Sequence, residues 1–84
     1  MTELNESNET KRLCDIAVGE NAVVERLMIH GSMRRRMLDI GLWDGTVVEC
    51  VGRSPMGDPS AYLIRGAVIA IRDCDSRGVI VRGI

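Results

Sequence analysis

The sequence predicts a small, mainly β protein: a barrel of about five short strands with one short α-helix inserted. Two observations carry this prediction. Runs rich in Val and Ile recur at short intervals, and Gly, Pro, Asp and Ser separate them, as in strands joined by turns. The connections are also too short for parallel crossovers, which need roughly a dozen or more residues. Closely spaced short strands therefore favour a small barrel.

The N-terminal segment, residues 1–12, differs in composition from the rest of the chain. It consists mostly of Thr, Asn, Ser and Glu, with Leu4 as its single apolar residue after Met1. Such a segment cannot bury enough surface to offset the entropy lost on ordering. We therefore predict a disordered N-terminal tail over residues 1–12 and one folded domain over residues 13–84.

The predicted strands lie on both sides of one helix in the sequence. Ala22–Ile29 is a β-branched run that precedes the helix. After the helix the chain is predicted as alternating strands and turns. These later strands are Thr46–Val51, Ala61–Ile64, Val68–Arg72 and Val79–Arg82, and the loop Gly52–Pro59 joins the first two of them.

The short helix is predicted between Ser32 and Gly41. Ser32 can accept a hydrogen bond from a free N–H of the first turn, and Gly41 can adopt the left-handed conformation that ends a helix. The side chains at helical spacing form an apolar stripe, which consists of Met33, Met37, Leu38 and Ile40. A helix this short is not stable alone in water, so we expect the stripe to pack against the strands.

Length and charge limit the classes of function. The 84 residues carry a formal net charge of −1, and the residues after Arg12 carry equal numbers of acidic and basic side chains. This balance argues against a dedicated nucleic-acid surface. No apolar run approaches the roughly 20 residues of a membrane span, and the start of the chain lacks an apolar signal core. We expect a cytoplasmic protein that does not itself insert into a membrane.

The sequence offers no catalytic or metal-ligating constellation. Its only histidine, His30, is interpreted as a turn residue, which leaves a serine or cysteine triad without a plausible base, and the sequence has no Gly-x-Ser-x-Gly turn for a nucleophilic serine. The glycines of Gly52–Pro59 are not followed by the Gly-Lys-Ser/Thr of a phosphate-binding loop. Cys14, Cys50 and Cys74 lack the paired spacing of zinc ligands, so we predict reduced thiols, with Cys50 packed in a strand. We predict a non-enzymatic protein without a cofactor.

Binding is the class of function that the sequence favours. Interfaces are enriched in exposed Arg, aromatic and Met side chains. These types are concentrated near the helix and in the long loop: Arg34 and Arg35 on the helix, Trp43 after its end, and Met56 at the loop tip. Trp43 can either close the end of the barrel or project as an anchor. We predict a partner-binding site formed by Arg34, Arg35, Trp43 and Met56.

Several short segments occur in an order and spacing that are more specific than any of them alone. They are Leu13–Ile16 with Gly19, Arg35–Leu42, Gly45–Thr46, Ser54–Pro59 and Ile69–Arg72. In this order they resemble the FeoA family of ferrous-iron transport accessory proteins, and the resemblance covers residues 13–81. The resemblance implies an SH3-like β-barrel with a helix inserted after the first long strand.

The resemblance also implies a role. Members of the family are soluble, non-enzymatic partners of FeoB, a membrane ferrous-iron transporter with a cytosolic GTPase domain, and support its assembly or activity. Such a protein is cytoplasmic and lies at the inner face of the membrane through its partner. This chain has Trp43-Asp44 where similar proteins often have a small residue with Pro, so it departs from the family at a predicted contact.

A second resemblance gives an alternative function of a different class. The same SH3-like domain is similar to the C-terminal domain of iron- and manganese-dependent repressors of the DtxR type. This chain has no helix-turn-helix segment, so the alternative is a stand-alone module that binds or senses Fe²⁺ or Mn²⁺. Its candidate ligands are Glu25, His30, Asp58 and Asp73, whose spacing does not favour a site. The sequence leaves a homo-oligomer open.

Overall fold

The computed structural model describes residues 10–84, and residues 1–9 of the predicted tail lie outside the described residues. In chain order the elements are β1 (Thr10–Arg12), a 3-10 turn (Leu13–Asp15), β2 (Asn21–Leu27), α1 (Gly31–Asp39), β3 (Val47–Arg53), β4 (Ser60–Ile64), β5 (Ala67–Ile71), α2 (Asp73–Ser76) and β6 (Val79–Gly83). The predicted class, a mainly β fold with a short inserted helix, is confirmed. The short α2 was not predicted, because Asp-Cys-Asp-Ser has no apolar periodicity.

The strands form one antiparallel sheet in the order β1-β6-β2-β3-β4-β5. β1 corrects the predicted boundary of the tail, since Thr10–Arg12 pairs with β6 through Thr10–Arg82, Lys11–Val81 and Arg12–Ile80. Polar residues suffice here because an edge strand is held by main-chain hydrogen bonds and need not bury its side chains. The folded part of the chain therefore includes Thr10–Arg12.

Alternating side chains of the sheet fill one core. Its buried members are Leu13, Ile16, Ala22, Val24, Met37, Leu42, Val48, Cys50, Tyr62, Ile64, Ile71, Val79 and Val81. Because the chain has no Phe, Tyr62 is the largest fully buried side chain. Its hydroxyl donates to the Leu13 carbonyl at 3.3 Å, and burial raises the pKa of Tyr62. Cys50 is completely buried in β3, as predicted.

The N-terminus of α1 differs from the prediction, whereas its C-terminus agrees. The residue that caps the helix is His30, without a side-chain bond, and not Ser32. The helix begins at Gly31, whose φ of +69° favours glycine, so Ser32 already lies within the first turn. At the other end Gly41 has a φ of +104°, and its N–H donates to Leu38 while Leu42 N–H donates to Met37. This pair of bonds is a Schellman motif.

Candidate interaction surface

The exposed side of α1 carries two of the predicted contact residues. Arg34 and Arg35 are exposed, whereas Met37 on the opposite side is buried in the core. Arg34 Nη1 donates to the Leu27 carbonyl at 3.3 Å, which ties the helix to the end of β2. Both arginines, together with Leu38, line a shallow concavity of about 410 Å³. Guanidinium groups at the rim of a concavity suit carboxylate or phosphate ligands.

The position of Leu38 differs from the predicted apolar stripe. Met33, Met37 and Ile40 do pack in or against the core, but Leu38 is only half-buried and belongs to the concavity beside the arginines. Successive residues point about 100° apart around a helix, so Leu38 lies at the margin when Met37 faces the sheet. The inward face of α1 is therefore narrower than the sequence suggested.

Trp43 is fixed in place but half-exposed, at 52%. Its indole Nε1–H donates to the Leu38 carbonyl at 2.6 Å, one of the carbonyls at the end of α1. The guanidinium carbon of Arg65 lies 5.1 Å from the centre of the indole ring, within the range of a cation–π contact. Trp43 lies outside the core, so it projects from the end of the barrel rather than closing it.

Met56 lies on the tip of the loop between β3 and β4 and is 90% exposed. Reciprocal hydrogen bonds hold the loop in shape: Ser54 Oγ donates to the Asp58 carbonyl at 2.8 Å, and Asp58 N–H donates to Ser54 Oγ at 3.1 Å. The Asp58 carboxylate also accepts from Asp73 N–H at 2.9 Å, which fixes the loop against α2. Met56 is thus an exposed apolar side chain on a structured loop.

The fold does not bring all four predicted contact residues together. Trp43 precedes β3 and contacts Arg65 after β4, so it lies at one end of the β3–β4 hairpin. Met56 lies at the other end, beyond Arg53. The seven residues of β3 span about 20 Å at the usual rise per residue. Trp43, which is bonded to α1 through Leu38, therefore lies at one end of the hairpin and Met56 at the other.

A groove of about 360 Å³ is a feature that the sequence reasoning missed. It runs between α1 on one side and β5 and α2 on the other. Its apolar lining comes from Met33, Met37, Ile40 and Ile69, and Arg36 and Arg72 are among its polar residues. No sequence signal could have found it, because its walls are brought together only by the packing of α1 over the sheet.

The candidate metal ligands of the alternative hypothesis do not converge on one site and are largely engaged in other contacts. Glu25 pairs with Arg82 at 3.2 Å, and Asp73 pairs with Arg77 at 2.8 Å. Asp58 bonds the backbone of Asp73, and His30 is exposed before α1. Among residues 10–84, no three His, Cys, Asp or Glu side chains come together in a way that could hold a metal ion.

The three cysteines are free thiols in different environments. Cys14, in the 3-10 turn, is partly buried, and Cys74, in α2, is exposed. Burial, with the neighbouring carboxylates of Asp15 and Asp73, raises the pKa of Cys14. A raised pKa keeps a thiol protonated and makes it a poorer nucleophile at neutral pH.

Taken together, fold and surface define a class: a small SH3-like β domain with exposed aromatic, Arg and Met side chains. The FeoA domain matches residues 11–83, and the chain belongs to the FeoA family. The family is one of accessory domains of ferrous iron transport. No helix among residues 10–84 has the length and apolar character needed to cross a membrane.

A relative of this chain joins a FeoA segment to a transporter. The chain is 31% identical over 65 residues to a Fe(2+) transport protein A/Fe(2+) transporter FeoB fusion protein of Porphyromonas gingivalis. The match covers 77% of this chain but only 8% of that protein. In that relative, a FeoA segment and FeoB are parts of one polypeptide.

Solved structures confirm the predicted SH3-like fold. FeoA of Chlorobium tepidum superimposes with a TM-score of 0.82 at 26% identity, over 88% of this chain and 70% of that one. FeoA of Stenotrophomonas maltophilia, solved with zinc and described as an SH3 domain protein, has a TM-score of 0.76 at 25% identity, over 84% and 88% of the two chains.

The second predicted resemblance is also found at the level of fold. A manganese-dependent transcriptional repressor superimposes with a TM-score of 0.81 at 15% identity. The match covers 92% of this chain and 43% of the repressor. Such a low identity shows a shared fold and nothing about shared function.

Proposed function

We propose that this chain is a non-enzymatic cytoplasmic accessory protein of ferrous iron transport, which binds the cytosolic part of a FeoB-type transporter and supports or regulates it. The observation that carries the proposal is the fused relative, because two domains joined in one polypeptide in one organism commonly associate as separate chains in another. Binding to FeoB would hold the protein at the inner face of the membrane.

The contact surface that we propose has Arg34, Arg35 and Trp43 as its main part. These side chains are exposed, and Trp43 is already fixed by its bonds to Leu38 and Arg65, so little conformational entropy is lost on binding. Met56, at the far end of the β3–β4 hairpin, serves as a separate contact for a partner large enough to span both. Trp, Arg and Met are the residue types that interfaces favour.

Charge reversal of both helix arginines tests this surface. We expect the Arg34→Glu/Arg35→Glu variant to co-purify much less with the cytosolic domain of the FeoB-type transporter from the same genome, and binding of the parent protein to weaken with added salt. The matched control is Arg12→Glu/Arg26→Glu, the same change of charge at two exposed arginines of β1 and β2. Arg82 is a poorer control because it is paired with Glu25.

Circular dichroism and thermal melting establish that both double variants are folded. Equal binding by the two variants would remove the exposed face of α1 from the interface. Absence of any binding by the parent protein would contradict the proposed partner itself.

A second candidate function is a stand-alone module that binds a transition metal, and the zinc of the Stenotrophomonas maltophilia FeoA structure favours it. The accessory role is favoured instead because a metal site needs converging ligands, and among residues 10–84 no three of the candidates Glu25, His30, Asp58 and Asp73 converge. Metal-dependent stability distinguishes the two functions.

A further inference from the structure

The last strand of the sheet order, β5, has a free edge. It pairs with β4 on one side and is the terminal strand on the other. No hydrogen bond of the described residues reaches the backbone of Ala67–Ile71 from outside this hairpin. The strand contains no charged residue and no proline, and its Val68 is 64% exposed. In natural proteins, edge strands of sheets usually carry charged residues, proline or a bulge that prevent pairing with another chain. An edge strand without these features can pair with a further strand.

The register identifies which backbone groups face outward. Arg65 and Gly66 have φ values of +51° and +86°, as in a two-residue type I′ turn, and Ile64 and Ala67 flank it. The flanking pair of such a hairpin is hydrogen-bonded, and the following pairs alternate. Ala67, Ile69 and Ile71 therefore bond β4. The N–H and C=O groups of Val68 and Ala70 point away from the sheet.

An added strand would find apolar surface beside this edge. Ile69, Ala70 and Ile71 line the groove whose other wall is the apolar stripe of α1. Alternate side chains of a strand point to opposite faces, so every second residue of the added segment would enter the groove and the others would lie beside Val68 and Ala70. The occupant is thus an extended segment with apolar residues at alternate positions.

Cations surround the same edge. Arg65 precedes β5, Arg72 follows it, and Arg36 lines the groove, where Asp75 is the single carboxylate. An acidic segment complements this arrangement. A second copy fits less well: antiparallel self-pairing about Ile69 would place Arg72 of each chain opposite Gly66 and beside Arg65 of the other.

We propose that the free edge of β5 binds an extended segment of the partner protein, with alternating apolar residues and flanking acidic residues, by strand addition through Val68 and Ala70. The edge strand begins two residues after Arg65, which contacts Trp43, so it continues the surface proposed above. The inference rests on the proposed function for the identity of the partner.

Backbone substitution separates strand addition from ordinary side-chain contact. Val68→Pro removes an outward N–H but no bond to β4, and proline is tolerated at such an edge position. We expect it to lower affinity for the cytosolic domain of FeoB about tenfold or more. The matched control Val68→Thr keeps the N–H and the branched shape, and should change affinity less than about threefold. Thermal melting shows that both variants are folded.

Amide hydrogen exchange supplies an independent readout on the unmodified chain. In the complex, exchange at Val68 and Ala70 should slow by about tenfold or more, while Ile69, already bonded to β4, serves as the internal reference. Binding with unchanged exchange at Val68 and Ala70, or equal affinities of the two Val68 variants, would overturn strand addition and leave the proposed partner intact. Absence of binding by the parent would overturn both. Protection that instead rises with protein concentration without FeoB would indicate a second copy as the occupant, against the proposal.

Discussion

At the scale of single residues, the contact between Arg65 and Trp43 fixes the positions of two exposed side chains. Arg65 has a φ of +51°, a conformation that non-glycine residues other than Asn and Asp rarely adopt. In this conformation its guanidinium lies over the ring of Trp43, whose indole N–H is bonded to the end of α1. An unfavourable backbone angle is thus accompanied by a contact that fixes an exposed aromatic side chain.

Replacing Trp43 should therefore affect stability modestly and binding strongly. For Trp43→Ala we expect a loss of about 1–2 kcal/mol in the free energy of unfolding, from one hydrogen bond and one exposed cation–π contact. Denaturant unfolding measures the loss, and affinity for the cytosolic domain of FeoB should fall in parallel.

Two control variants separate the hydrogen bond of Trp43 from its ring contact, and its role in binding from that of a neighbouring apolar side chain. Trp43→Phe keeps a ring under Arg65 but removes the N–H, so it should retain part of the stability. Val47→Ala changes an apolar side chain of equal exposure nearby, and it should leave affinity almost unchanged. A fall in affinity as large for Val47→Ala as for Trp43→Ala would show that Trp43 has no special part in binding.

At the scale of elements, the C-terminus of α1 is fixed by more capping hydrogen bonds than its N-terminus. Its first residue is a glycine without a side-chain cap before it, while its last turn is closed by the Schellman bonds of Gly41 and Leu42. A Cβ on Gly41 would lie 2.6 Å from Cδ of Arg65, so any other residue at this position would displace the Arg65 side chain. The end of α1, Trp43 and the β4–β5 turn form one structural unit.

Alanine substitutions in α1 should show, through the free energy of unfolding, which side chains of the helix face the core. Met37→Ala removes a side chain that is 3% exposed, and we expect it to cost about 2–5 kcal/mol, a large part of the stability of a domain this small. Leu38→Ala, the adjacent control, removes a half-buried side chain outside the core and should cost about 1 kcal/mol. Chemical denaturation compares the two, and a larger loss at Leu38 would mean that α1 is rotated relative to this structure.

At the scale of the whole molecule, the domain is held together by its apolar core and its sheet. The core contains side chains from the 3-10 turn, from strands β2 to β6 and from α1. The described residues contain no cluster of metal ligands. We therefore expect the fold to form without a bound ion.

Stability should consequently be independent of iron. After treatment with a chelator, the protein should melt at the same temperature as before, and micromolar Fe²⁺ or Mn²⁺ should shift that temperature by less than about 1 °C. Calorimetry under anaerobic conditions measures both. A rise of several degrees that His30→Ala abolishes would favour the metal-binding module over the accessory role.

Much of the fold could be predicted because its signals are local. Gly41 ends the helix through its own conformational freedom, and the Val- and Ile-rich runs become strands because turn residues separate them. Cys50 is buried because it lies within such a run. The predicted tail boundary and helix start were wrong: Thr10–Arg12 is ordered by a distant strand, β6, and α1 begins at Gly31, before the predicted cap Ser32.

The candidate site was predictable in residue type but not in arrangement. Arg34, Arg35, Trp43 and Met56 are exposed, as an interface requires, yet strand direction places Met56 about 20 Å from Trp43 along β3. The free edge of β5 and its groove had no sequence signal, because an apolar run looks the same at the edge of a sheet and at its centre.

By itself, the sequence determined the class of fold, the end of α1, the apolar runs and the family, since each depends on residue type and short-range spacing. Only the tertiary structure decided that β5 is a terminal strand, that Met37 rather than Leu38 enters the core, and that Arg65 lies over Trp43. The physical reason is that strand order and helix rotation are set by non-local pairing and by burial of the whole core, which no single segment contains.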